Sequence, residues 1–268
     1  DLKIVTGLVE PHFMAGYSGG RKVISPGVAH QDTIMTFHNH KFMSDPKADS
    51  CILDGNPLHE EQIEIVSMLG EVLSVNTVLD EHRNLSLVNY GEIIASHLQA
   101  VDFAKNYLSV PIHRKFNTIV TSAAGYPLDA TYYQTIKGMV VPYQILEPGG
   151  DLIIASECSE GLGSYEFKKA QQTLVEKGVE YFCSKISKKS FAAVDEWQTQ
   201  MQTKIMEVGN VYLYAPSLRP SDQQFTGVNI IRDLNEFVRS RIIKNLDVYG
   251  ESSLAIIPEG PYVVPTPN

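Results

Sequence analysis

A histidine, a glycine-dense turn and a lysine stand together in one short stretch, EPHFMAGYSGGRKV, and side chains of these types can do chemistry. His12 follows a proline at the end of a β-branched run, where a parallel sheet presents functional side chains. Ten residues on, Lys22 closes a turn containing Gly16, Gly19 and Gly20. A nucleotide-triphosphate loop requires GxxxxGK followed by Ser or Thr, whose hydroxyl holds Mg²⁺. Here Val23 follows Lys22 and the spacing is GxxGGxK, which excludes that reading. What remains is a bare backbone at Gly19 and Gly20 whose N–H groups can approach an anion, with Lys22 reaching the same place. An ordinary strand-to-helix turn with a solvated lysine accounts for the spacing equally well. A lone histidine, too, is more often a satisfied, partly buried side chain.

Two further clusters carry chemistry. FHNH places His38 and His40 two apart; on a continuous helix they face opposite sides, so at most one can ligate a given metal. Neither has HExxH spacing, so hydrolytic zinc is not indicated. In ATYYQTIKGM, Tyr133 and Lys137 are four apart and Gln134 and Lys137 three apart, one helix face that can bind a carboxylate by hydrogen bonds plus charge. An amphipathic surface explains the same spacing. Trp197 is the single tryptophan, a residue more often core than ligand contact. Glu157 and Glu160 lie in a Gly-rich loop that either closes on a ligand or merely connects.

These residues need a scaffold, and the composition supports one. The 268 residues are 43% hydrophobic, enough for one large domain or two ordinary ones. A formal net charge of -9 argues against general nucleic-acid or anionic-membrane binding. No apolar run approaches the roughly 18 residues of a membrane helix. Three cysteines without CxxC spacing point to reduced thiols and a cytoplasmic setting.

The periodicity alternates between strand and helix. Strands are expected at 2–9, 71–80, 116–121, 149–156 and 210–216, with a closing strand in 252–265. Helices are expected at 32–43 (capped by Asp32), 56–70 (capped by Asn56, with Pro57 in the first turn), 90–108, 129–146, 165–182, 191–208 and 231–246. This is an α/β fold of two lobes with mainly parallel sheets and a cleft between them, the ligand sites lying at the C-terminal ends of strands. The expected division is 1–110 for the first lobe, 111–245 for the second, and 246–268 as a strand and tail returning to the first.

In order and spacing, PHFMAGYSGGRK, FHNH, GNPLHEE, YYQTIKG, Trp197 and IIPEGPYVVP resemble the nickel-pincer lactate racemase family over essentially the whole chain. The resemblance implies a racemase or epimerase of a short 2-hydroxy acid such as lactate. Its cofactor would be nickel(II) pyridinium-3-thioamide-5-thiocarboxylic acid mononucleotide, the nickel-pincer nucleotide, carried covalently on Lys22. His38 would be the protein's nickel ligand, and His12 one of two acid/base histidines. Tyr133, Gln134 and Lys137 would orient the acid, and Trp197 would wall its side chain. Grouped by the roles the resemblance implies, His12, Gln134 and Lys137 would be catalytic; Lys22, Gly19, Gly20, Tyr133 and Trp197 would meet the cofactor; His38 would meet the metal. Sulfur and carbon donors with an imidazole suit square-planar Ni(II), and a lysine amine suits a covalent cofactor link. The implied chemistry is reversible hydride transfer from Cα to the cofactor, through a 2-keto acid, with histidine moving the hydroxyl proton. Proteins that synthesise the cofactor are implied partners.

One departure stands out. The family's second catalytic histidine, a substrate-binding arginine and phosphate-cradling loops fall on the N-terminal side of His12, and neither His97 nor His113 is placed to substitute. The chain is therefore expected to be the C-terminal portion of an enzyme of about 400 or more residues, inactive by itself. Two other classes fit parts of the pattern: an α/β transferase or dehydrogenase binding a phosphorylated ligand at Gly19, Gly20 and Lys22, and a non-catalytic binding module.

Overall fold

The computed structural model describes residues 2–80, 82–250 and 252–267. The chain forms two compact units, one of 1–109 with 189–192 and the other of 110–188 with 193–268.

The first unit opens with β1 (Ile4–Leu8), a β-branched run that pairs in parallel with β4 (Leu73–Leu79). Between them lie the short hairpin β2 (Pro11–His12) and β3 (Gly16–Tyr17), then α1 (Arg21–Ile24), α2 (Gln31–Phe37), α3 (His40–Met43) and α4 (Pro57–Ser67). A third strand, β5 (Leu85–Glu92), pairs antiparallel to β4 and runs directly into α5 (Ile93–Leu108). Burial alternates along β4, as a strand with one covered face requires. Val78 from that face packs with Val9, Tyr17, Ala100, Val101 and Ala104. The same face also carries Ser74 and Asn76, fully buried and hydrogen-bonded to each other and to Ser96.

In the second unit, β6 (Ser109–Ile112) and β7 (Phe116–Ser122) precede α6 (Tyr132–Val140) and a 3-10 turn, Val141–Ile145. Next come β8 (Leu146–Ala155), α7 (Tyr165–Lys177), α8 (Val179–Ile186), α9 (Glu196–Met206), β9 (Asn210–Tyr214), α10 (Pro220–Gln223) and β10 (Asn229–Ile231). The unit closes with α11 (Leu234–Tyr249), β11 (Leu254–Ile257) and β12 (Val264–Pro267). Its sheet has the order β10-β9-β8-β7-β11 and every pairing is parallel. The central strands are continuous apolar runs, with Leu152, Ile153 and Ile154 all fully buried, as a sheet covered on both faces demands.

Several expected elements are corrected. The helix expected at 32–43 is two helices, because Asn39 breaks the chain and its Oδ1 accepts from Phe42 N at 3.2 Å to cap α3. The cap of α2 is His30, whose Nδ1 accepts from Asp32 N, rather than Asp32 itself. Residues 85–92, part of which was expected in a helix, instead fill an open edge of β4. Gly178, at φ 84, splits the helix expected at 165–182. The closing strand does not return to the first lobe: β11 lies beside β7 in the second unit's sheet, where its apolar run completes the parallel order.

Candidate functional site

Chain geometry at the glycine-rich turn is set by close packing. His12 and Gly16 are paired across β2 and β3. His12 Nδ1 accepts from the backbone N–H groups of Ala15, at 3.2 Å, and Met14, at 3.4 Å. A nitrogen that accepts cannot carry the proton, so the neutral ring as placed bears it on Nε2. Gly16 has φ 75 and an added Cβ would meet Ile52 O at 2.2 Å. Gly20 has φ 47 and faces the His97 ring at 2.6 Å from where a Cβ would stand. The anion cradle expected here has few donors left. Ser18 N donates to Glu10 O, Gly20 N to Asn76 Oδ1 at 3.2 Å, and Lys22 N to Gly19 O at 3.0 Å.

His38 ends α2 and is buried. Its Nδ1 lies 2.9 Å from Ile34 O, and only a protonated Nδ1 can bond to a carbonyl, which directs the Nε2 lone pair elsewhere. Burial pushes its pKa down to about 4; the Lys22 ammonium adds to that, while the Ile34 bond opposes it. Lys22 and His38 are thus within electrostatic reach in the first unit. A neutral imidazole with Nδ1 committed to a carbonyl is the form that ligates a metal. Among the described residues no group of three or more His, Cys, Asp or Glu side chains can hold a metal ion. A metal at His38 would therefore draw its other donors from a bound group, and the soft donors of a pincer nucleotide on Lys22 fit that requirement. His40 does not share a helix with His38, being the first residue of α3.

Beneath this turn lies a buried polar cluster that the sequence reading did not find. Arg21, fully buried, donates from Nη1 to Tyr17 O at 3.1 Å and from Nη2 to Ala15 O at 2.8 Å. Burial lowers its pKa to about 9. Its Nη1 also lies 3.0 Å from His97 Nε2, which is 2.9 Å from Ser18 O. Burial, then the Arg21 charge, drives His97 down to about 3 and His59 to about 4. Asn56, expected only as a cap, also donates from Nδ2 to Met14 O at 3.0 Å while its Oδ1 accepts from Leu58 N. The sequence shows only an Arg-Lys pair after two glycines, and that pattern does not tell which of the two cations turns inward.

The second unit carries the other candidates. Helix α6 starts at Thr131, whose side chain accepts from Gln134 N, so Tyr133, Gln134 and Lys137 do lie on a helix. They are half-buried, while Tyr132, Thr135, Ile136 and Met139 are buried. Gln134 Oε1 is buried without a hydrogen-bond partner among the described residues, an acceptor left for a ligand's donor. Tyr133 meets Phe167 edge-on at 5.2 Å and hydrogen-bonds Trp197 and Asp195. Glu157, with Ser122, Asp129, Ser156 and Tyr214, lines a concavity of about 260 Å³ at the C-terminal ends of β7, β8 and β9, and accepts from Ser217 Oγ. Glu160 lies outside that lining. Among the described residues no helix is long and apolar enough to cross a membrane.

A family model described as "Lactate racemase N-terminal domain" matches residues 1–50, and one described as "Lactate racemase C-terminal domain" matches residues 113–264. The chain is 29% identical over 266 residues to a lactate racemase of Thermoanaerobacterium thermosaccharolyticum, covering 98% of this chain and 61% of that protein. It is 28% identical over 262 residues to a lactate racemase of Lactiplantibacillus plantarum, covering 97% and 60%. The chain thus spans about three fifths of the length of these relatives. Among solved structures it resembles the lactate racemase apoprotein from Thermoanaerobacterium thermosaccharolyticum, with a TM-score of 0.89 at 28% identity, over 99% of this chain and 63% of that one. A Thermotoga maritima protein shares the fold, with a TM-score of 0.68 at 16% identity over 99% and 66%. With the C-terminal model alone matching more than half its length, the chain belongs to the lactate racemase family.

Proposed function

We propose that this chain supplies the cofactor-anchoring and acid-binding residues of a racemase acting on a short 2-hydroxy acid such as lactate. The observation that carries the reading is at His38: a neutral, buried imidazole whose Nδ1 is already committed to Ile34 O and which lies within electrostatic reach of the Lys22 amine. Lys22 would hold a nickel-pincer nucleotide covalently and His38 would ligate its metal; when bound, that group accepts and returns the hydride of Cα. Gln134 and Lys137 bind and orient the acid, Lys137 by charge on the carboxylate and Gln134 through its unspent Oε1 on the hydroxyl. His12 moves the hydroxyl proton. To take the hydroxyl proton Nε2 must be unprotonated, so Nδ1 must first release its two backbone donors and carry the ring's own proton. The imidazolium so formed gives that proton back to the oxygen as the hydride returns, which leaves the ring neutral again. Gly19 and Gly20 act by letting α1 start against β1 and α5, so that Lys22 is held from below.

Intact mass and nickel content of the full-length protein, produced together with the cofactor-synthesis proteins, test the reading. A covalent mass increase and one nickel per chain are expected, with both lost in Lys22→Ala. Unmodified, metal-free native protein would reject it, as would an unchanged adduct in the variant. Chiral analysis of a panel of 2-hydroxy acids then identifies the substrate.

A further inference from the structure

We propose that Asp195 is the positioning residue for the aromatic pair Tyr133 and Trp197, and through them sets the side-chain size of the acid accepted; this rests on the reading that the Tyr133 face of α6 meets a 2-hydroxy acid. Asp195 has φ 60, a left-handed conformation that turns the chain into α9 two residues before Trp197. Its carboxylate accepts from Ser164 Oγ at 2.5 Å, and Ser164 Oγ in turn accepts from Phe167 N at 3.0 Å as the cap of α7. The same carboxylate and the Trp197 indole both bond to the Tyr133 side chain.

The chemistry of the three groups fixes the direction of that chain. An indole N–H only donates and a carboxylate only accepts. Trp197 therefore donates to the Tyr133 oxygen, and the Tyr133 hydroxyl donates to Asp195. Burial and then the Asp195 charge hold the phenol protonated, well above its ordinary pKa. Tyr133 thus has no proton left for a substrate, and its contribution is shape.

That shape is held from every side. Tyr133 N donates to Leu162 O at 3.0 Å, and Gln198 Nε2 donates to Tyr133 O at 2.7 Å. Phe167 meets its ring edge-on, and a Cβ on Gly163 (φ 120) would lie 2.9 Å from the Tyr133 Cβ. Backbone contacts fix where the ring starts; among the described residues Asp195 and Trp197 fix where its hydroxyl ends. Removing the carboxylate leaves the Tyr133 hydroxyl without its acceptor, so the phenol and the indole that donates to it can shift together.

The test uses the cofactor-loaded full-length protein with Asp195→Ala, Asp195→Asn and Tyr133→Phe. Emission of Trp197 is isolated by subtracting the spectrum of Trp197→Phe, and kcat/KM is measured for lactate and for 2-hydroxy-4-methylpentanoate. Asp195→Ala and Tyr133→Phe should each change the Trp197 emission and shift the preference between the two acids about tenfold. Asp195→Asn, whose amide oxygen still accepts, should lie nearer to native. An unchanged emission and preference in Asp195→Asn and in a folded Asp195→Ala would overturn the proposal, as would a change in Asp195→Asn as large as that in Tyr133→Phe. Should native protein turn over neither acid, the racemase reading falls and takes the substrate half of this proposal with it, while the emission series still decides whether Asp195 holds Trp197.

Discussion

Arg21 Nη1 lies 3.0 Å from His97 Nε2, and both side chains are fully buried. The arginine beside Lys22 is therefore a structural cation, spent on the carbonyls of Ala15 and Tyr17. It braces the glycine-rich turn from within.

Arg21→Lys should lower stability by about 2–3 kcal/mol. The ammonium keeps the cost of a buried charge but lacks the planar fork that serves two carbonyls, and each orphaned carbonyl costs about 1–3 kcal/mol. Urea denaturation checks this, and a loss under about 0.5 kcal/mol would mean the fork contributes nothing.

Gly20→Ala should be far worse than Gly70→Ala. Both have positive φ, but only at Gly20 would the new Cβ strike a neighbour, the His97 ring. Gly70→Ala carries about 1 kcal/mol of backbone strain alone, whereas Gly20→Ala adds displacement of α5 or of the turn. Equal melting temperatures for the two variants would refute the packing argument.

Stability should fall on acidification below neutral pH, ahead of the carboxylates. His59 and His97 have folded pKa values of about 4 and about 3, against 6.5 unfolded. The unfolded chain therefore takes up protons first. The stabilisation is complete above pH 6.5 and lost toward those folded values, at up to about 1.4 kcal/mol per pH unit for each histidine. Denaturant midpoints that are flat from pH 7 to 5 would contradict this.

Lys137→Met should raise KM for the acid by about 10- to 100-fold, the worth of a charge-assisted hydrogen bond. Steady-state kinetics on the cofactor-loaded enzyme measure it. An unchanged KM would place the carboxylate elsewhere.

Much of the scaffold was legible because each cue acts locally. Asn56 and Pro57 start α4 where the cap rule puts it, and the apolar run of β8 announces a doubly covered strand. The candidate residues were legible as motifs, and the helix that carries Tyr133, Gln134 and Lys137 has the expected phase. What the sequence hid was the use of polar side chains over long separations. Asn76 bonds to Gly20 across 56 residues, and His97 to Ser18 across 79. No periodicity encodes such pairs, and for that reason the glycines looked like a ligand cradle when their neighbours are protein. The edge strand β5 was hidden too, since residues 85–92 are half exposed and lack a continuous apolar signal.

The four residues Lys189–Ala192 belong to the first unit although the chain around them belongs to the second. Asn39 Nδ2 donates to Ser190 O, and Ala192 N donates to Met35 O, so this strip completes the surroundings of the FHNH segment. During synthesis, the neighbourhood of His38 cannot be finished when residue 109 leaves the ribosome. It waits until residue 192 is made, with β7, β8 and α7 already out, so a protein cut at the 109–110 boundary would lack the Ser190 and Ala192 partners of Asn39 and Met35.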